Sequence, residues 1–214
     1  MLRTSIKSVS RFGRYSMVRG VSAVVLCGAL AACASPPPAP TYSEVSFIDG
    51  GAVPIRAARV DIRSTFEPTF KEPNVEHLMP LSPEKVARQW ALERLQPLRS
   101  GSVVAVFTIK DAEVLETKLK TKGGIEGTFT DEPSERYDAT LRAELSYSDA
   151  KTGKHGRVET VAKYSMSVQE DASLNDREIA WHDLVEKLGK TFDKAMVANM
   201  KRYVPDLIAG TPSE

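Results

Sequence analysis

The chain is poor in cysteine: of its 214 residues only Cys27 and Cys33 carry a thiol, and none follows residue 33. Everything downstream therefore lacks a disulfide, a thiol nucleophile and a cysteine metal ligand, and its core has to hold by packing alone. Long hydrophobic runs are missing too. The longest apolar or small stretch, Val21 to Ala32, falls short of the roughly 20 residues that a membrane-spanning helix needs. Neither charge sign dominates, since 29 Lys and Arg face 28 Asp and Glu for a formal +1. That balance conceals an asymmetry. Arg3, Lys7, Arg11, Arg14 and Arg19 precede residue 33 with no acid among them, which leaves −4 for the remainder. A mildly acidic domain is a poor binder of nucleic acid, because phosphate contacts need clustered cations.

Catalytic signatures are equally scarce. His77, His155 and His182 fall on a loop, a turn and a helix, with no H-E-x-x-H and no paired spacing for zinc. No G-x-S-x-G elbow presents a serine. Gly123, Gly124 and Gly127 do not form a phosphate loop, because no strand-to-helix junction with Lys-Ser/Thr follows them. The expectation is a protein without catalysis, cofactor or metal.

What is present begins with targeting. A basic, polar segment from Met1 to Gly20 leads into the apolar run and then into Leu30-Ala31-Ala32-Cys33. This is the pattern of a signal peptide over residues 1–32, with Met17 as an alternative start. The four residues resemble the lipobox of bacterial lipoproteins. That resemblance implies cleavage before Cys33, acylation of its thiol and anchoring in a membrane by several acyl chains, each buried methylene adding about 0.8 kcal/mol. Ala34 and Ser35, rather than Asp, follow the cysteine, which by the same resemblance points to the periplasmic face of the outer membrane. Pro36, Pro37, Pro38 and Pro40 favour an extended, semi-rigid spacer within a linker over 33–54.

Residues 55–204 read as one α+β domain of order β-α-β-β-β-α, followed by a tail over 205–214. Ala58, Val60 and Ile62 alternate with Arg59, Asp61 and Arg63 as a half-buried strand. Pro68, Pro73 and Pro80 mark 64–81 as a connection. Ser82-Pro83-Glu84 opens a helix: a hydroxyl to cap an orphan N–H, a proline where no donor is needed, and an acid at the positive end. Its stripe is Val86, Ala87, Trp90, Ala91, Leu95 and Leu98, ended by Pro97, Ser100 and Gly101. Strands start at Val103, Tyr137 and Val158, the middle one showing the cleanest alternation. The last helix is capped by Ser173 and Asp176 and carries Leu174, Trp181, Leu184, Val185, Leu188, Phe192, Ala195, Met196 and Tyr203 on one face, with His182 off it. Two helices with single stripes and a four-stranded, mainly antiparallel sheet with one apolar face give a two-layer sandwich, with Trp90 and Trp181 central.

Register sets a further condition. Inward positions are odd in both Val103–Ile109 and Tyr137–Tyr147, so facing residues must sum to an even number. A two-residue turn at Gly123-Gly124 gives an odd sum. Either the turn holds an odd number of residues or a bulge intervenes, with Pro133 the natural site. An arm from about Leu115 to Asp131 is expected to protrude.

On that arm Lys118, Lys120 and Lys122 share a face. They suit lipid phosphates or an anionic partner, and equally serve as edge lysines that block strand pairing. Glu170, Asp171, Asp176 and Glu178 flank a helix N-terminus, where negative charge is favourable in itself. Val45-Ser46-Phe47-Ile48 reads as an edge strand or a docking arm.

The lipobox with this element order is similar, at the level of architecture, to the lipopolysaccharide-assembly lipoprotein that plugs its outer-membrane barrel and to auxiliary lipoproteins of lipid-transporting ABC systems. The stretches His77-Leu78-Met79-Pro80, Ile109-Lys110-Asp111-Ala112 and Glu170-Asp171-Ala172-Ser173-Leu174-Asn175 resemble uncharacterised proteobacterial outer-membrane lipoproteins. These likenesses imply a membrane-anchored binding or assembly component serving an envelope protein complex or a lipid, and transfer no catalytic residue. A structural, cell-wall-contacting lipoprotein and a periplasm-facing hydrolase are the competing readings.

Overall fold

The computed structural model describes residues 44–119 and 133–210. Cys33, Lys120, Lys122 and the outer part of the expected arm lie outside them. Two helices, α1 (Pro83–Arg94) and α2 (Leu174–Tyr203), cover one face of a sheet. The strands are β1 (Val53–Ile55), β2 (Arg59–Ser64), β3 (Leu95–Pro97), β4 (Val103–Asp111), β5 (Val114–Lys118), β6 (Pro133–Asp149) and β7 (His155–Gln169). The α+β sandwich is as expected, but the strand count is not. A five-stranded sheet runs β2-β4-β6, with β5 and β7 also on β6, and β1 pairs with β3 in a separate two-stranded sheet. β2 joins β4 in parallel, β1 joins β3 in parallel, and the remaining pairs are antiparallel.

The extra strand arises from a bulge. Pairs of β4 with β6 sum to an even number from Val103↔Asp149 to Ile109↔Ala143, then the register slips between Ile109 and Asp111. β5 resumes against β6 with an odd sum, Val114↔Ala139. The slip thus resolves the parity conflict at Lys110 rather than at Pro133, although a second irregularity does fall between Pro133 and Glu135 in the β6–β7 ladder. It also reverses which residues point inward: Phe107 and Ile109 are buried before it, Ala112 and Val114 after it. The connection over 64–81 is not a bare loop. Its backbone pairs with β5, Val75 N–H donating to Val114 O (2.9 Å) and Glu116 N–H to Pro73 O (2.8 Å).

α1 begins as expected, with Ser82 accepting from Lys85 N–H and proline in the first turn. It ends at Arg94, four residues short of Leu98, the last residue of the expected stripe. Gln96 precedes Pro97 and is driven to extended backbone, so Leu95–Pro97 becomes β3 against Val53–Ile55 and Leu98 is exposed instead of joining the stripe. α2 has the expected capping box: Ser173 Oγ accepts from Asp176 N–H, and Asp176 accepts from Ser173 N–H. Leu174 and Tyr203, assigned to its stripe, are exposed at its two ends, beyond the apolar face of the sheet.

The core centres on Trp90, fully buried, with ring centroids 5.4 Å from Phe107 and 5.2 Å from Phe192. Trp181 is buried edge-on to Tyr137 at 5.7 Å. Polar contacts then fix how the helices sit. Asp193 of α2 accepts from Trp90 Nε1 (2.7 Å) and Arg94 Nε (2.8 Å) of α1. The packed unit reaches past 55–204 at both ends. Phe47 and Val53 are buried before it, Leu207 and Ile208 after it. Phe47 is neither on an edge strand nor on a free arm: it enters the core beside Gly189, where a Cβ would stand 3.1 Å from its ring and 2.7 Å from Val86.

Candidate functional site

Of the lysine set, Lys118 is the residue the structure places. It ends β5, exposed, with Glu135 as its cross-strand partner. Because the bulge reverses parity, Lys118 follows Val114 and Glu116 on the helix-covered side of the sheet rather than on the wet face. Glu135 is engaged there. It receives Arg177 Nε (2.9 Å) and Nη2 (3.0 Å) from α2 and the Tyr137 hydroxyl (2.6 Å). Burial and the hydrogen bond to Glu135 raise the Tyr137 hydroxyl above its ordinary value.

The acidic set is not gathered into a site. Asp176 caps α2, and its hydrogen bonds from Ser173 hold its carboxyl below the ordinary value. His77 meets the ring of Phe70 edge-on at 5.3 Å, and His155 Nδ1 lies 3.2 Å from Gly153 O in the β6–β7 turn. His182, expected off the stripe, is buried. It faces a cleft of about 400 Å³ lined by Glu44 to Ser46, Ile48, Pro80, Leu81 and the α1 residues Lys85, Val86, Gln89 and Glu93. The helical period hides this, because the segment that closes over His182 comes from the far N-terminal side of the domain.

That cleft answers two chemical questions. Its one hydroxyl, that of Ser46, donates to Glu93 (3.3 Å), which also accepts from Phe47 N–H. Ser46 is thus spent on holding the N-terminal segment to α1. His182, Asp183 and Glu186 could gather round a metal ion, a grouping the sequence reading missed although its i, i+1, i+4 spacing is visible. Both carboxylates already face lysines on α2, Lys187 to Asp183 at 3.8 Å and Lys190 to Glu186 at 2.6 Å. The Lys190 bond holds the Glu186 carboxyl below its ordinary value.

A second cavity, about 220 Å³, is lined by Phe66, Phe70, Glu76, His77, Met79 and Ala112 among others. Glu76 is buried, with Oε2 accepting from Val114 N–H at 3.3 Å and Oε1 without a protein partner. Burial, together with the charges of Asp111 and Glu76, raises the Glu113 carboxyl.

Asp149, at the β6–β7 turn, accepts from Ser102, Thr152 and Lys151 N–H, which lowers its carboxyl to about 2. Its folded value lies below the ordinary aspartate value of 3.8, so its contribution to stability is present above that value and lost as pH falls from 3.8 towards 2. Carboxyl-detected NMR titration should place Asp149 as a late-titrating carboxylate, and Asp149→Asn should remove the part of the acid-induced loss of stability that falls in this window.

No family model matches the chain, and no curated protein matches it. Solved structures do. The rare lipoprotein B of Shewanella oneidensis is 10% identical, covering 67% of this chain and 96% of its own, with a TM-score of 0.36. A Xanthomonas campestris protein of family model DUF330 is 7% identical, covering 76% of this chain and 96% of its own, with a TM-score of 0.32.

Proposed function

We propose that the chain is an envelope lipoprotein, acylated at Cys33 and held at the periplasmic face of the outer membrane. It acts there as a non-catalytic binding or assembly component for an envelope protein complex, in lipid or lipopolysaccharide transport. The observation that carries this reading is the Leu30-Ala31-Ala32-Cys33 pattern after a basic segment and a short apolar run. The fold is compatible with it, because among the described residues no helix is long and apolar enough to cross a membrane. Attachment would then come from the acyl chains, and the α+β domain would be presented by the proline-rich spacer.

Metabolic labelling with a fatty acid tests the anchor. The wild-type chain should take up label and sediment with membranes, and Cys33→Ser should abolish the label and move the protein to the soluble fraction. An unlabelled wild type, or a Ser variant that fractionates unchanged, refutes the proposal. Crosslinking in intact cells should then recover an envelope partner, with the yield lowered by joint Ala substitution of Lys118, Lys120 and Lys122.

A further inference from the structure

We infer that the free edge of β7 pairs with β7 of a second copy of this chain, antiparallel and centred on Val161. Among the described residues β7 pairs with β6 and with no other strand along the regular part of its ladder, His155 to Val168. It contains no proline, and its ladder is regular from Ser148↔His155 to Glu135↔Val168. Such an edge carries a row of unpaired backbone groups that templates another strand.

The hydrogen-bond phase decides which residues carry those groups. Asp149 N–H donates to Lys154 O (2.8 Å), so the even-numbered residues of β7 bond back to β6. The same phase runs through the sheet, as Ala58 N–H to Val103 O and Thr140 N–H to Glu113 O show. Arg157, Glu159, Val161, Lys163 and Ser165 therefore turn their N–H and C=O groups to the open edge. Their side chains lie on the wet face and are exposed.

Charge and ladder length together select one register. A two-fold axis at Val161 sets each Glu159 opposite a Lys163 and each Arg157 opposite Ser165. The exposed valine, 43% accessible among polar neighbours, then meets its own copy. A two-fold axis at residue 159 or at residue 163 would put two glutamates or two lysines face to face, and an axis at residue 160 would oppose Arg157 with Lys163. An axis at residue 158 would set Arg157 opposite Glu159 but pair only residues 155–161 of β7, and an axis at residue 162 would set Glu159 opposite Ser165 and Lys163 opposite Val161, with no ion pair. Opposite charges across strands stabilise and like charges oppose pairing. The axis at Val161 is the one that both pairs most of β7 and sets opposite charges face to face, which suits an isologous dimer. This pairing does not depend on the lipid anchor.

Cysteine crosslinking of the full chain in its native membrane, or in the soluble fraction if it is not anchored, reads the register directly. Facing residues in a bonded pair stand about 5.5 Å apart at Cα, within the span of a disulfide. Val161→Cys should oxidise to a covalent dimer. Arg157→Cys and Ser165→Cys should each stay monomeric, since like positions then lie about 27 Å apart, and should crosslink when co-expressed. Lys163→Glu should cut the Val161→Cys dimer yield at least about tenfold, and Glu159→Lys with Lys163→Glu should restore it. A monomer at Val161→Cys, a crosslink to another protein only, or no rescue by the charge swap overturns the inference.

Discussion

Asp193→Ala should lower the unfolding free energy by about 3–5 kcal/mol, seen as a fall in the urea midpoint at unchanged m. Asp193 is the one carboxylate that Arg94 and Trp90 both address, at 2.8 and 2.7 Å. The Arg94 side chain is only 5% accessible. Its Nη1 has no partner within the protein, and Gly50 stands so close that a Cβ there would meet the guanidinium at 2.9 Å. Removing the acid strands a buried cation that cannot swing out to water, and leaves the indole N–H unpaired as well. The cost is therefore mainly that of the orphaned groups, not the worth of the pair. Arg94→Met with Asp193→Leu should recover most of the loss, because an apolar pair of similar volume has no charge to desolvate. If the double variant is as unstable as Asp193→Ala, cavity and strain dominate and the electrostatic account is wrong.

Trp90→Ala should cost a similar amount, about 3–5 kcal/mol, and more than Trp181→Ala. Trp90 is fully enclosed between Phe107 of β4 and Phe192 of α2, so truncation opens a cavity that these rigid rings cannot collapse into. Trp181 sits nearer the surface against Tyr137 and leaves a space that neighbours or water can reach. Against a typical total of about 5–15 kcal/mol, Trp90→Ala should leave a domain sensitive to proteolysis in the cell. Both costs can be read by urea unfolding, the remaining tryptophan reporting in each variant: Trp181 in Trp90→Ala and Trp90 in Trp181→Ala. Equal costs for the two truncations would show that enclosure does not set the penalty.

Local patterns account for much of this architecture. The period-2 alternation of Tyr137–Tyr147, the Ser82-Pro83 start and the Ser173/Asp176 box all act within a few residues, and each element forms where its pattern lies. One apolar face per element also leaves few ways to assemble them, which is why Trp90 and Trp181 could be placed in the core. Burial of His182 was not legible, because it depends on Phe47 and its neighbours returning across more than a hundred residues of chain.

From residue order alone follow the targeting pattern at Leu30–Cys33, the α+β class and the two core tryptophans, since chain-local chemistry and burial periodicity suffice for each. Three-dimensional packing settled the remainder: the bulge at Lys110, the face that Lys118 occupies, the early end of α1, the Arg94–Asp193 lock and the open edge of β7. Each of these depends on which distant strand or helix lies alongside, and a one-residue slip in that pairing reverses a side chain's direction without altering any local pattern.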